Sequence, residues 1–495
     1  MSDTDDTREV TASPLPALRT DLTPIVTALR EANADAFVAV GDRFDDTLRY
    51  LTRFAGPDRS YALVVTANDR HVQTATGQRG AAVLCAPALF REQATREFVA
   101  GAVSDDTPAD GEDGSNAEFH DGVRRAVQTE NAGEQPGKRA AAVIDELCAD
   151  RDDVIPDHDD AIPDREEACA DKESDRTVLV PASIPHDAAV FLERAGNELT
   201  ATTAVDTARE RKSTAELARL RRVQRATAAG MQRAETVLAE ATARDDATRD
   251  DGGDGASVGS KDATHDDDDA THDRGGVESD VPERTQLRWN ETALTTERLR
   301  REVNSVLAAH GVCDGGNTVI GAGRSAADLH FVGDDPIYRG ETVLIDISPR
   351  GPDGYYGDMT RTFVVDGDGG WERRAYVAVS AARSAALAEL EPGVAAGTVH
   401  AEASAELAAY GFDPNATEDE SGFTHGTGHG VGVSLHESPS LSSGTTLRPG
   451  HVVTVEPGVY DPAVGGVRLE DLAVVTEGGY EILAEYPFGI VPESR

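Results

Sequence analysis

Five residues able to bind a metal ion, Asp346, Asp358, His429, Glu456 and Glu470, interrupt stretches that otherwise read as apolar strand or strand edge. A carboxylate placed inside an apolar strand is costly unless it is paired or coordinated. Any fold of this chain must therefore draw these groups together or give each a separate partner. Four carboxylates and one imidazole form a hard, oxygen-rich set. Such a set suits two divalent cations sharing a hydrolytic water better than one structural zinc.

Local patterns sharpen this expectation. Apolar residues alternate over 342–347 toward Asp346 and over 360–365 after Asp358, with Gly351-Pro-Asp-Gly354 between them. In that turn signature proline sets φ and glycine accepts φ > 0. A hairpin centred on Pro352 would put Asp346 and Asp358 opposite each other, their Cβ atoms about 5 Å apart, an arrangement that calls for a cation between them. His425-Gly-Thr-Gly-His429-Gly-Val-Gly432 strips one side of its segment of side chains, which suits close approach of another backbone or a substrate, and it lacks the lysine of a phosphate-binding loop. His436 follows within Leu435-His-Glu-Ser-Pro439. Glu456 ends one apolar run and Glu470 another; an ion pair with Arg468, two residues before Glu470 on the same strand face, is the neutral explanation for Glu470, but it does not readily account for both glutamates.

A chain of 495 residues is too long for one hydrophobic core, so two domains are expected. Helix and strand signals alternate over 18–99, an α/β pattern with helical spacing at 22–33 and apolar runs at 36–40 and 61–65. An acidic stretch, about 104–176, reads as a solvated insertion around a possible helix at 140–147; strand and helix signals return at 177–180 and 188–195. The first domain, with that insertion, is placed at 1–205 and the second at 206–495. The second opens on a long helix with a capping-box start, Ser213-Thr-Ala-Glu216. It is interrupted at about 245–284 by a second acidic insertion, in which DATHD occurs twice, and the histidines there, His265 and His272, read as decoration of a disordered loop rather than a metal tract.

The charge narrows the setting. With 90 acidic against 47 basic residues the net charge is −43, and only Lys138, Lys172, Lys212 and Lys261 are lysines. Such a surface stays hydrated when salt screens its self-repulsion, so adaptation to a salt-saturated cytoplasm is expected. The absence of a basic stripe disfavours nucleic acid. Cys85, Cys148, Cys169 and Cys313 form no CxxC pair, the N-terminus does not read as a signal peptide, and no apolar run reaches membrane-spanning length. A soluble cytoplasmic protein without membrane contact is expected.

Taken in order, Ser325-Ala-Ala-Asp-Leu-His330, Leu344-Ile-Asp346, Gly357-Asp-Met-Thr-Arg-Thr362, the 425–432 segment, His436-Glu-Ser-Pro439, Glu456-Pro-Gly-Val-Tyr460 and Arg468-Leu-Glu-Asp471 resemble the motifs of the pita-bread metallopeptidases, peptidase family M24. The likeness is to the branch of Xaa-Pro aminopeptidases and Xaa-Pro dipeptidases (prolidases), and it covers about Thr207 onward, apart from the acidic insertion. More loosely, the first domain is similar to the creatinase/prolidase N-terminal domain, with Tyr50-Leu-Thr-Arg-Phe54 in place of its YLTGF stretch. The resemblance implies an α/β (α+β) architecture in which a creatinase-like α/β domain precedes a pita-bread catalytic domain. It implies a dinuclear centre, with Asp346 on one ion, His429 and Glu456 on the other, and Asp358 and Glu470 bridging both. Glu456 would shuttle the proton to the leaving amine, His330 and His436 would contact substrate and oxyanion, and Arg468 would orient the carboxylates. Manganese is favoured, with cobalt, iron and zinc as alternatives. The implied substrates are small peptides with proline second, and the implied assembly is a homodimer. Twelve positions separate the first two aspartates where the family commonly has eleven, and Ser348 replaces its usual glycine. Ser440 stands where some archaeal dipeptidases carry an arginine for the substrate carboxylate, which favours an aminopeptidase. A strict Xaa-Pro dipeptidase and a non-catalytic binding member of the fold are the alternatives.

Overall fold

Successive strand residues face opposite ways, so a strand that is apolar throughout must be covered on both faces. In the computed structural model this holds for β1 (Ala36–Gly41), β2 (Tyr61–Thr66) and nearly all of β3 (Gly80–Pro87), which are buried along their length. With β4 (Val123–Glu130), β5 (Arg176–Pro181) and β6 (Asn197–Thr202) they form a mixed six-stranded sheet in the order β4-β3-β2-β1-β5-β6. The structure describes residues 15–67, 80–102, 121–131, 133–148, 176–243, 284–367 and 369–494. His265, His272 and most of the two expected acidic insertions lie outside these residues.

One face of the sheet (Val38, Val64, Val83) is covered by α4 (Pro136–Cys148) and α5 (His186–Arg194), through Val143, Ile144 and Leu192. The other face (Phe37, Leu63, Leu84) meets α1 (Thr23–Glu31) and α2 (Asp46–Thr52), while the short α3 (Arg91–Ala94) packs at the β3–β4 end. That second core runs on into Tyr355, Val431 and Val433 of the chain's later half. One expectation needs correcting. The stretch taken as a solvated insertion contains β4, an integral edge strand paired in parallel with β3 over eight residues. Its buried Arg125 is neutralised by Asp121 at 2.5 Å.

A short α6 (Ala204–Glu210) leads into α7 (Thr214–Glu240), whose capping box forms as expected: the Ser213 hydroxyl accepts from the Glu216 N–H, and the Glu216 carboxylate accepts from the Ser213 N–H. Small strands β7 (Thr242–Ala243), β8 (Leu287–Trp289) and β9 (Thr292–Ala293) then precede α8 (Thr296–Ala309) and β10 (Cys313–Asp314). Two three-stranded sheets follow. The first joins β11 (Val319–Ala322), β12 (Thr342–Ile347) and β14 (Met359–Val364), with β13 (Pro349–Arg350) pairing outward to β10. Beyond α9 (Gly370–Ala388) and α10 (Ala396–Ala409), the second joins β15 (Val452–Val455), β18 (Asp471–Thr476) and β19 (Gly479–Ile482), with β16 (Gly458–Asp461) and β17 (Gly465–Arg468) as a hairpin beside it. The helices α7 and α8 cover the first sheet, α9 and α10 the second. At the seam the Glu470 N–H donates to the Thr360 carbonyl at 3.1 Å, and Thr362 Oγ1 exchanges hydrogen bonds with the Arg468 backbone. The candidate site lies on this seam.

Candidate metal centre

The hairpin that carries two of the aspartates is built from β12 and β14. Asp346 pairs with Thr360 and Ile347 with Met359, so the turn centres one residue later than Pro352. Asp358 therefore lies diagonal to Asp346 rather than opposite it. A register offset of two residues keeps both side chains on one face, and the pairing still converges. Asp346, Asp358 and Glu470 each offer an oxygen within 4.8 Å of the others, the set among the described residues that meets the geometry of a metal cluster.

His429 comes from an irregular segment rather than a strand, contrary to expectation. What fixes it is the run of glycines around it. A Cβ on Gly428 would sit 2.0 Å from the Thr454 carbonyl oxygen, and one on Gly430 would sit 2.4 Å from that of Ser438. Without side chains there, the segment lies against β15: the His429 N–H donates to Thr454 Oγ1 at 3.0 Å, and the Thr454 N–H donates back to the His429 carbonyl at 2.9 Å. The imidazole Nε2 then stands 3.3 Å from Glu456 and 4.0 Å from Asp358. All five predicted ligands line one cleft of about 410 Å³, together with His330, His436 and Arg468. The rings of His429 and His436 lie 4.3 Å apart, and both His330 and His436 are exposed at the cleft.

Arg468 does not pair with Glu470. Its guanidinium donates to Asp346 at 2.6 Å, to Thr360 Oγ1 at 3.2 Å and to the Tyr460 hydroxyl at 2.9 Å, while Glu470 accepts from Thr360 at 2.7 Å. Tyr460 in turn lies 2.8 Å from His425 Nε2, and His425 Nδ1 faces the Gly426 carbonyl at 2.7 Å. Donor and acceptor roles thus run in one direction, from Arg468 to Tyr460 to His425. On the other side Gln224 of α7 clasps the Asp358 peptide, accepting from its N–H at 2.8 Å and donating to its carbonyl at 2.5 Å. Glu470 is held from behind by Arg361, which donates to its carbonyl at 2.6 Å, to the Tyr486 carbonyl at 2.8 Å and to Asp471 at 2.9 Å. Sequence reading did not single out Gln224, Thr360, Arg361 or Tyr460 as individual site residues. Thr360, Arg361 and Tyr460 stood inside quoted motifs, but Gln224 is one polar residue on a long helix and carried no signal.

The electrostatics are those of a cation site. Burial, then the neighbouring charges of Glu470, Asp346 and Glu456, pushes the Asp358 carboxyl well above the usual range. Burial followed by Glu456 and Asp346 does the same to Glu470. Asp346 is also raised by burial, although Arg468 opposes it. Glu456 goes the other way: burial would raise it, but the hydrogen bond and charge of His429 prevail and bring it to about 2. Asp346 Oδ1 is buried without a hydrogen-bond partner. An orphaned carboxylate oxygen in a cleft shared with Asp358, Glu456 and Glu470 fits a divalent ion by hardness and by charge.

The sequence profile of Metallopeptidase family M24 matches residues 218–477, more than half of the chain and all five of these side chains. The chain belongs to that family. It is 36% identical over 172 residues to the Xaa-Pro dipeptidase of Pyrococcus furiosus, covering 34% of this chain and 47% of that protein. It is 33% identical over 181 residues to the probable dipeptidase PepE of Mycobacterium tuberculosis, covering 36% and 46%. These matches span about half the length of the relatives. Among solved structures, a prolidase from Pyrococcus horikoshii superposes with TM-score 0.63 at 19% identity, over 95% of this chain and 99% of that one. An X-Pro aminopeptidase from Thermotoga maritima gives 0.61 at 16%, over 94% and 99%. At such identities the likeness shows the fold, the pita-bread α/β architecture of the family. Among the described residues, no helix is long and apolar enough to cross a membrane.

Proposed function

We propose that this chain is a metal-dependent exopeptidase that hydrolyses the peptide bond before proline. The observation that carries this reading is the convergence of Asp346, Asp358, His429, Glu456 and Glu470 in one cleft, with an uncompensated oxygen on Asp346. These five residues are assigned to two divalent ions, manganese by preference. Ions bound there supply Lewis-acid activation of the attacking water and of the scissile carbonyl. The protein groups do the rest. Glu456, kept ionised beside His429, accepts the water's proton and passes it to the leaving amine. Arg468 fixes the Asp346 carboxylate from one side, and Thr360 fixes Glu470. His330 and His436 at the rim orient the substrate backbone, and Leu329, Val332 and Leu435 offer the apolar lining that a proline ring needs.

An aminopeptidase is favoured over a strict dipeptidase. Arg468 is the one Lys or Arg among the residues lining the cleft, and it is committed to Asp346 and Tyr460. The rim carries Ser440, so among the described residues lining the cleft no free Lys or Arg stands ready for the carboxylate of a dipeptide; Arg324 lines only the adjoining pocket, which shares Leu329 and His330. The second reading, a strict Xaa-Pro dipeptidase, rests on the names of the Pyrococcus relatives. The acidic surface fits work in a salt-rich cytoplasm. The test is hydrolysis of Xaa-Pro dipeptides and Xaa-Pro-Yaa tripeptides in molar KCl with added Mn²⁺, and again after EDTA treatment. Cleavage of tripeptides, lost with EDTA and restored by Mn²⁺, is expected. Cleavage of dipeptides alone selects the second reading; cleavage of neither removes both.

A further inference from the structure

Two loops supply most of the candidate ligands. One is the β12–β14 hairpin with Asp346 and Asp358, the other the 425–437 segment with His429 and, at its rim, His436. Neither loop is held only by its own half of the molecule. The helix α2 of the first sheet's domain reaches both. Asp46, its first residue, accepts from Arg350 of the hairpin at 2.7 Å through Oδ1 and from the Ser434 hydroxyl at 2.6 Å through Oδ2. One carboxylate thus bridges the hairpin and the histidine-bearing loop.

The rest of α2 acts on the same hairpin. Arg49 donates to the Pro352 carbonyl at 2.9 Å. Arg53, just past the helix end, donates to the hydroxyl of buried Tyr355 at 2.6 Å and faces Glu216 at 3.3 Å, and Tyr355 donates to Glu216 at 2.8 Å. Arg53 adopts φ +56°, a left-handed conformation that favours glycine and strains an ordinary residue. A long cation held there against its backbone preference is explained by the contacts its side chain makes. The three α2 contacts fall between Arg350 and Tyr355, inside the turn that sets how Asp346 and Asp358 face each other.

We infer that Asp46 is a positioning residue for the metal centre: by joining Arg350 to Ser434 it reinforces the direct Tyr356 N–H to Gly432 carbonyl bond at 2.9 Å and the Arg350 bond to the Val433 carbonyl at 3.4 Å in holding the spacing between the aspartate hairpin and the His429 loop, and so couples the first domain to the site without touching it. This inference rests on the metalloenzyme reading above. Its effect must appear in metal affinity and turnover rather than in substrate binding, because Asp46 lines no part of the cleft.

The experiment compares wild-type full-length protein with Asp46→Ala, Asp46→Asn and Ser434→Ala. Mn²⁺ affinity is measured by calorimetry on chelator-stripped protein, alongside kcat and KM for an Xaa-Pro-Yaa peptide and the metal-free melting temperature. Partners one layer out from metal ligands typically change affinity by about 10- to 100-fold, and a brace one layer further is expected at the low end, about 10-fold for Asp46→Ala. A matching fall in kcat with KM nearly unchanged is expected. Asp46→Asn, which keeps an acceptor for Ser434, should fall between. Ser434→Ala removes the hydroxyl that donates to Asp46 and accepts from Arg209 at 3.2 Å, and it stays informative if Asp46→Ala does not fold; a few-fold loss of Mn²⁺ affinity supports the inference. Wild-type Mn²⁺ affinity and kcat in the folded variants, with only a lower melting temperature, overturns it. Wild-type protein that takes up no Mn²⁺ instead refutes the metalloenzyme reading, and this inference with it, before any variant is compared.

Discussion

Gly428→Ala is the sharpest test of how His429 is placed. The new methyl carbon would lie 2.0 Å from the Thr454 carbonyl oxygen and 2.8 Å from its carbon, both backbone atoms of the buried strand β15. Ordinary contact begins near 3.4 Å, so the two segments must part by 3.4 − 2.0 = 1.4 Å. That movement breaks the paired hydrogen bonds between His429 and Thr454. Two such bonds contribute about 0.5–1.5 kcal/mol each, and overpacking adds about 1–3 kcal/mol, which together give roughly 2–6 kcal/mol. Because His429 moves with the backbone, Mn²⁺ affinity and turnover should fall together, by about 100-fold for a displacement near 1 Å. Gly444→Ala, with nothing within 4 Å of the added carbon, is the control and should stay within about 0.5 kcal/mol. Thermal melts of the metal-free proteins, calorimetry with Mn²⁺ and peptide hydrolysis read the three effects. A Gly428→Ala protein that matches its control in all three would show that the glycine run does not position the imidazole.

Asp358 and Glu470 hold protons in the metal-free fold that the unfolded chain releases in the ordinary carboxylate range, so stability in EDTA should fall as pH rises from about 4 through their raised values. Asp358→Asn should flatten that slope, raise the metal-free melting temperature at pH 8 and abolish hydrolysis; a lower melting temperature there contradicts the repulsion argument. His451 is buried, and burial followed by the charges of Lys212, Arg211 and Arg448 lowers it to about 4. It therefore binds no proton in the folded state where the unfolded chain does, and stability is lost as pH falls from about 6.5 toward 4. His451→Asn should shallow that acid limb in a pH series of melts, and an unchanged limb counts against it. A net charge of −43 predicts a melting temperature that climbs from 0.1 to 2 M KCl as the Debye length shrinks to about 3 Å or less; a flat response removes the case for salt adaptation.

The candidate ligands stood out in the sequence because each carboxylate interrupts an apolar run, and a strand tolerates that only for a reason; the fold brings them to one cleft. Their mutual geometry was less so. Spacing alone put the turn at Pro352, whereas β13 leaves the hairpin to pair with β10 and Gly351 closes on Tyr355, shifting the register. The face survived because the offset is even. Proximity in sequence offered Glu470 to Arg468 as the neutral alternative to a role in orienting the carboxylates, while in the fold its guanidinium meets Asp346 across the sheet. The edge strand β4 was hidden by Arg124 and Arg125, since a buried arginine reads as solvent-facing until Asp121 is seen beside it. Gln224 is invisible for a plainer reason: only the tertiary fold tells which of a helix's amides meets the peptide of a ligand.

Arg361 has a consequence for handling this protein. Its buried guanidinium is shared between the Glu470 carbonyl and the carbonyls of Tyr486 and Pro487, with Phe488 stacked on it at 4.0 Å. Trimming the chain ahead of Tyr486, or forcing a bulky tag into that stretch, would take two carbonyl acceptors and the stacked ring from Arg361, leaving it Asp471 and the carbonyls of Thr360 and Glu470 behind the candidate site. The peptide at 486–488, though far along the chain and outside the cleft, belongs to the foundation on which Glu470 stands.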